Sequence, residues 1–353
     1  MICNLLIVFA FLAFAFADKV KETEKLNWKS VSIDDSGKYH VAVAAYNNES
    51  KKGYPFYLSN DYGESWFQST SPQLDWRNVY SDSTGQTLIG YAEHNSLASS
   101  SVPPLYISKN RGGSWKSGAS TVDFPVTNDI AGNNNGTLWV SVNSHLYSSS
   151  DFGSTWTIST NIPVKDASSS AAVIGSSVAV DSTGQYIYII CDGGLCISQD
   201  GGKTFQANYN YFVKTVATDP TGQYVAILTD KYLNFSNDFG TTWKNVKDYT
   251  VPGVTAVPKD FLKVIADHNH VFTVESSLET VISYSLVRYD VATYTQRTLF
   301  EFFNDVNDIA ISSSGKSMVM STVEEGALFS TSDSGATWWM HEPQAKISRR
   351  MKV

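Results

Sequence analysis

The chain offers few side chains whose type and spacing point to chemistry. Cys191 and Cys196, in YIYIICDGGLCIS, are five residues apart and flank an Asp192-Gly193-Gly194 turn between two β-prone runs. Such a pair suits a disulfide across a hairpin; a CxxxxC metal or redox pair is the alternative, although no histidine is near and the spacing is not CxxC. Among the six histidines, His268 and His270 form a His-Asn-His triplet that could touch a metal, but they occupy a turn and read better as solvated. Two carboxylates about 5–10 Å apart would suffice for glycoside hydrolysis, yet 34 acidic residues single out no such pair. GxSxG, HExxH, Walker and EF-hand patterns are absent from the sequence, and its Asp-Gly turns lack the ligand density of a calcium loop. No metal and no cofactor are expected.

The elements that must carry any site are better marked. The 353 residues are 42% hydrophobic, 13% aromatic and only 17% charged, which is enough apolar material for a core. Abundant Ser, Thr, Asn and Gly suit short strands joined by tight turns. A net charge of −8 argues against nucleic acid or an anionic membrane as partner. The N-terminus has an apolar run from Leu5 to Ala17 ending in Ala15-Phe16-Ala17, the pattern of a cleaved signal peptide over 1–17. The run is shorter than the roughly 20 residues that span a bilayer, and no later segment reads as membrane-spanning. Cleavage removes Cys3 and leaves the even pair Cys191 and Cys196, as an oxidising compartment favours. Three glycosylation sequons, at Asn48, Asn135 and Asn234, agree with secretion.

An octamer recurs six times: SNDYGESW at 59–66, SKNRGGSW at 108–115, SSDFGSTW at 149–156, SQDGGKTF at 198–205, SNDFGTTW at 236–243 and TSDSGATW at 331–338. Its third residues step by 49, 41, 49, 38 and 95, the last being about two periods. A repeat of this length means a propeller or a solenoid. Upstream of each octamer stands a DxxG-like turn, such as DDSGKY at 34–39 or DSTGQY at 181–186, followed by an apolar run. One unit therefore reads as strand, DxxG turn, strand, loop, strand, octamer turn, strand. The double step hides a degenerate unit at 258–303, with Phe261–Ile265 as first strand, a turn at 267–270, Val271–Glu275 as second strand and an outer hairpin turning at Asp290–Thr293. The expected fold is all-β, a seven-bladed β-propeller of four-stranded antiparallel blades over 18–342, with a frayed basic tail at 343–353.

The octamer's residues explain its persistence without a ligand. The Asp or Asn accepts backbone N–H groups in a tight turn, at Asp61, Asn110, Asp151, Asp200, Asp238 and Asp333. The glycine two residues on, at Gly63, Gly112, Gly153, Gly202, Gly240 and Gly335, supplies a positive φ. The closing aromatic, at Trp66, Trp115, Trp156, Phe205, Trp243 and Trp338, has a large apolar surface to bury near a blade boundary. A catalytic group is needed once, not six times.

The pattern S-x-D-x-G-x-[ST]-W resembles the Asp-box, or BNR repeat. It is similar to repeats in sialidases, sortilin-type sorting receptors, xyloglucan-degrading glycoside hydrolases and photosystem II assembly factors. The resemblance covers nearly all of residues 27–340 and implies the propeller; it says little about activity, because Asp-boxes occur in enzymes and non-enzymes alike. Resemblance to sialidases implies an arginine triad, a Tyr–Glu nucleophile pair and an Asp acid/base. Their Arg-Ile-Pro motif is absent; only Arg77, Arg288 and Arg297 could form a triad, and the last two belong to an outer hairpin. Resemblance to xyloglucanases implies two aspartates across a cleft between two propellers, and one propeller is expected here.

DxxG and octamer turns share one face. The opposite face carries the loops between second and third strands and the connections between blades, where binding sites are expected to vary on a rigid scaffold. Trp76, Arg77, His94, Tyr209, Tyr211 and Phe212 lie in those segments and could form an aromatic mouth for a sugar or peptide. The expectation is a secreted, monomeric, non-catalytic propeller that binds an extracellular or secretory-pathway protein or a glycan, without membrane insertion once the signal is removed. A secreted glycoside hydrolase is the alternative.

Overall fold

Seven antiparallel sheets follow one another along the chain, and strands neighbouring in sequence are neighbours in each sheet. The structure, a computed structural model, describes residues 25–47, 49–50, 52–92, 105–118, 127–133, 135–142, 145–166, 174–250, 256–264, 270–277, 283–302, 305–322, 326–342 and 347–352. The blades span 28–68, 76–117, 127–158, 174–208, 213–248, 256–302 and 306–352. Their first strands are Trp28–Ile33, Trp76–Ser81, Thr127–Gly132, Ile174–Val180, Val213–Thr218, Ala256–Val264 and Val306–Ile311. Each first strand packs on the first strand of the next blade, and that of blade 7 packs on that of blade 1. The result is a closed seven-bladed β-propeller with the first strands around its axis. The signal-like run and the sequon at Asn48 lie outside the described residues.

The degenerate unit is a full blade. Its strands are Ala256–Val264, His270–Ser277, Tyr284–Asp290 and Gln296–Phe302. His270 was expected in the turn but begins the second strand, pairing with Asp290 across the sheet, where its Nε2 stands 3.9 Å from Asp290 Oδ2. His268 lies outside the described residues. The outer hairpin turns where expected. Asp290 Oδ1 accepts the N–H groups of Ala292 and Thr293 at 3.0 and 2.8 Å, so an Asx turn survives without an octamer.

The C-terminal segment departs from expectation. Ile347–Lys352 is not frayed but a fifth strand on blade 7, pairing antiparallel with Thr337–Glu342. Charge hid it: Arg349 and Arg350 are exposed, while Met351 packs on the apolar cluster between blades 6 and 7.

The two repeated turns are joined. In the first octamer, Ser59 Oγ accepts Gly63 N–H at 2.9 Å and donates to Asp61 Oδ1 at 2.8 Å, which also accepts Ser65 N–H at 3.0 Å. The residue before the octamer glycine is also left-handed: φ is 63° at Tyr62, 55° at Arg111, 59° at Phe152 and Phe239, and 60° at Ser334. That twist aims its N–H at the DxxG turn of its own blade. Tyr62 donates to Lys38 O, Arg111 to Gln86 O, Phe152 to Gly136 O, Gly201 to Gln185 O, Phe239 to Gln223 O and Ser334 to Lys316 O, all at 2.9–3.1 Å. Burial opposes the charge on Asp61, but the hydrogen bonds from Ser65 and Ser59 outweigh it and hold the carboxyl below its ordinary range. At exposed Asp200, the Thr204 hydroxyl and N–H lower it to about 2.

Each octamer aromatic packs against the preceding blade. Trp115 of blade 2 meets Phe56 of blade 1 at 4.4 Å between ring centroids, and Trp156 of blade 3 lies among Ile89, Tyr91, Leu105 and Ile107 of blade 2. Phe205, Trp243 and Trp338 repeat the arrangement. The seven apolar clusters thus sit between blades rather than within them. Cys191 and Cys196 form the expected disulfide across the hairpin of blade 4. Closing so short a loop stabilises by about 2 kcal/mol on the chain-entropy model.

Replacing Trp156 by alanine therefore removes a ring shared by two blades. We expect a loss of about 3–5 kcal/mol in equilibrium denaturation. Asp61→Ala should likewise lower the unfolding midpoint, while ligand binding per folded molecule stays unchanged.

Candidate ligand-binding site

The axis is an open, polar channel of about 480 Å³, lined by the first strands of blades 1–5 and 7. Each of the seven first strands carries a register irregularity near its start. Trp28 pairs with Ala44 but Ser30 with Val43, so Lys29 is an extra residue; Arg77, Lys214 and Asn307 are its equivalents. A bulge of this kind bends the strand and re-aims a side chain. It brings Lys29, Arg77 and Lys214 to the channel near the face where the strands begin, opposite the paired turns. Acidic partners accompany them. Arg77 Nη2 lies 3.1 Å from Asp75 Oδ2, and Lys214 Nζ lies 2.8 Å from Asp230 Oδ1.

The residue after the bulge forms a belt. Ser30, Asn78, Asp129, Ser177, Thr215 and Asp308 occupy this position. Ser30 Oγ accepts Val79 N–H of blade 2 at 3.3 Å, Asp129 Oδ2 accepts Val178 N–H of blade 4 at 3.0 Å, Ser177 Oγ accepts Val216 N–H of blade 5 at 3.2 Å, and Asp308 Oδ2 accepts Val31 N–H of blade 1 at 3.0 Å. The other oxygens of the two acids are also engaged: Asp129 Oδ1 takes Ile130 N–H and Asp308 Oδ1 takes Ile309 N–H, each at 2.8 Å. These channel carboxylates serve as backbone caps. The belt was not anticipated from sequence, although its polar residue recurs four positions before each DxxG aspartate or its substitute; in a chain this rich in Ser, Thr and Asn, that is a faint signal.

Of the six residues expected at an aromatic mouth, five lie among the described residues. Trp76 is a correction: it is fully buried, its Nε1 donates to Tyr54 O at 2.7 Å, and its ring packs on Phe56. It starts a strand and fills a blade boundary, so it does not face a ligand. Arg77 stands beside the channel between blades 1 and 2, and His94 lies outside the described residues. Arg288 and Arg297 face each other across the outer hairpin of blade 6, away from the axis. Tyr209, Tyr211 and Phe212 come together in the connection between blades 4 and 5. Phe212 is 68% exposed, the largest value among the bulky apolar side chains of the described residues.

The disulfide hairpin is the seat of this trio. A Cβ on Gly193 would meet the Phe212 ring at 2.9 Å, and one on Gly194 the Tyr209 ring at 2.5 Å, so the two glycines let both rings lie on the hairpin tip. Val213 N–H donates to Gly193 O at 2.8 Å, and Tyr209 Oη donates to Pro163 O at 3.1 Å. Lys165 places its ammonium 5.7 Å from the Tyr209 ring centroid, and its backbone N–H donates to Asp192 Oδ2 at 2.8 Å. Tyr211 turns inward to Trp243, at 6.0 Å. The platform therefore has one exposed ring, one half-buried ring and a polar rim.

Of the two described sequons, Asn135 is exposed on the DxxG turn of blade 3. Asn234 is a correction: it lies inside the third strand of blade 5 at 5% exposure, with Nδ2 enclosed, and the folded blade leaves no room for a glycan. Among the described residues, no group of three His, Cys, Asp or Glu is placed to hold a metal ion.

Comparison with known proteins supports the fold alone. No family model and no curated protein sequence matches the chain. Solved structures do. The β-propeller domain of Cps50 (Swd1) from Myceliophteria thermophila is similar, with a TM-score of 0.63 at 8% identity over 88% of this chain and 97% of that one. KlHsv2, with a loop replaced by a Gly-Ser linker, gives 0.55 at 10% identity over 93% and 98%. An ancestral GH74 enzyme gives 0.52 at 12% identity over 76% of this chain; the match spans only 37% of the enzyme's length.

The belt makes a separable prediction. Asp308→Ala removes a charged acceptor shared by two inner strands and should cost about 2 kcal/mol or more in urea denaturation. Asp308→Asn, which keeps an acceptor oxygen, should recover part of that loss.

Proposed function

We propose that the chain is a secreted Asp-box propeller without catalytic activity, binding a protein or glycan through the face that carries the inter-blade connections. The observation that carries the non-catalytic reading is the state of Asp129 and Asp308. A general acid or nucleophile turns a carboxylate oxygen to its substrate, whereas the oxygens of both acids are turned to backbone N–H groups. The binding reading rests on Phe212, exposed against Gly193 of the hairpin that the Lys165–Asp192 contact braces. An exposed ring with polar neighbours suits the apolar face of a sugar or a hydrophobic side chain. Secretion is supported by the apolar N-terminus with its small-x-small site and by the disulfide.

A glycan array, run beside a hydrolysis assay on the same glycans and an extracellular-protein binding screen, tests this reading. Binding without turnover is expected. Phe212→Ala should weaken binding about tenfold or more at an unchanged melting temperature. Turnover abolished by a single carboxylate substitution would sink the proposal.

A further inference from the structure

Blades 7 and 1 meet where the chain's two ends close the ring. Among the described residues no strand is exchanged there: the strands of blade 1 run consecutively, and so do those of blade 7. Closure depends on side chains. Trp28 Nε1 donates to Gly326 O at 2.8 Å, Ser317 Oγ to Gly37 O at 2.9 Å, Ser313 Oγ to Asp35 O at 3.2 Å, and Asn307 Nδ2 to Trp28 O.

Two histidines are buried in this seam, His40 of blade 1 at 2% and His341 of blade 7 at 1% exposure. His40 Nε2 lies 2.8 Å from Gly37 O and 3.3 Å from Ser317 Oγ, which fixes the proton on Nε2 and leaves Nδ1 an unpartnered acceptor. His341 Nε2 lies 3.0 Å from Ser330 Oγ. Trp66 stands between them, its ring centroid 5.9 Å from His40 and 6.4 Å from His341. In blades 2, 3 and 5 the octamer tryptophan donates to its own glycine carbonyl, at 3.0–3.1 Å for Trp115, Trp156 and Trp243, whereas Trp338 of blade 7 keeps a buried Nε1 without a partner. In blade 1 that carbonyl, Gly63 O, is taken by Ser330 Oγ at 2.9 Å, and Trp66 Nε1 is buried without a partner. Packing leaves no slack, since a Cβ on Gly63 would lie 2.6 Å from Ser330 Cβ and 2.8 Å from His40 Nδ1.

We infer that this seam is an acid-sensitive closure, in which protonation of His40 and His341 loosens the contact between blades 7 and 1 before the remaining interfaces give way. A second proton on His40 makes Nδ1 a donor in a dry site, and a charge on His341 repels one on His40. Burial pushes both groups down to about 4; the Gly37 carbonyl, Asp34 and Asp61 pull His40 up, and Asp61 pulls His341 up, without overcoming it. From the other packed elements come Ser317 and Ser330 of blade 7, while the C-terminal strand sets Ser348 opposite His341 and Arg349 opposite Met340. A folded value below the free value near 6.5 means that the neutral pair's stabilisation is complete above about pH 6.5 and declines from there toward pH 4. The octamer aspartates act lower, because their stabilisation is present above the ordinary value of 3.8 and is lost only beneath it.

Hydrogen exchange of the full chain at pH 7 and pH 5, corrected for intrinsic rates, reads the seam directly. Amides of Trp28–Ala44 and Leu328–Glu342 should lose protection on the order of tenfold per histidine relative to the interface of blades 4 and 5. The double variant His40→Gln, His341→Gln should lose that difference. Equal loosening of all seven blades, or loosening unchanged in the double variant, overturns the proposal. Should that variant not fold, proton NMR of the wild-type histidines decides. Titration below pH 5, with seam protection already falling beneath pH 6.5, supports the proposal; titration near pH 6.5, or seam protection that does not fall over that range, overturns it.

Discussion

The inner strand of a blade is a sheet edge. Its outer side is paired within the blade, and its inner side turns unpaired backbone groups toward the axis and the next blade. A row of unmet N–H groups at a ring centre is costly. At four of the blades the side chain after the bulge answers that constraint by reaching sideways to the following strand: Ser30 to Val79, Asp129 to Val178, Ser177 to Val216 and Asp308 to Val31. One device therefore both satisfies the edges and sets the spacing of the ring. The acidic groups of the belt, Asp129 and Asp308, are thereby committed to backbone N–H groups.

The outer half of each blade is governed by the joined turns. The octamer serine and aspartate fold the turn, the left-handed residue points its N–H at the DxxG turn, and the closing aromatic drops onto the preceding blade. Each connection is local in sequence except the last. Hence the period, the two turns and the blade number were legible in the chain, and even blade 6 could be placed from its alternation and from Asp290. What the sequence hid was set by distant partners. Trp76 reads as a surface aromatic until the neighbouring blade supplies Phe56. Asn234 reads as a glycan acceptor until strand pairing encloses it. The segment ISRRMK reads as a tail because its arginines mask the alternation that seats Met351.

The same distinction separates scaffold from candidate site. The turn face is repetitive, and its aspartates are saturated with donors. The opposite face differs from blade to blade, so its chemistry resides in single copies: the disulfide hairpin with Phe212 in blade 4, and the paired cations Arg77 and Lys214 at the channel. The sequence located Tyr209, Tyr211 and Phe212 because they lie in one connection. It could not tell which ring faces outward, since Gly193 and Trp243, from separate strands, decide that.

A ring of nearly equivalent interfaces need not open evenly. Six of its junctions join blades consecutive in the chain; the seventh joins blades with no connecting segment, so parting there is not resisted by the backbone. Selection for closure at that point would favour apolar contact and hydrogen bonds, and both are present in Trp28, Tyr57, Val319 and the serines of blade 7. Yet it also holds two buried imidazoles, of which His40 keeps Nδ1 without a partner, and the unpaired indole N–H of Trp66, and burying a polar atom without a partner is costly. A hydrophobic residue at His40 would relieve its share of that cost at every pH. Ionisable groups at the junction without chain continuity make its strength depend on protons, whereas the octamer turns, built on low-lying carboxylates such as Asp61 and Asp333, respond only at greater acidity.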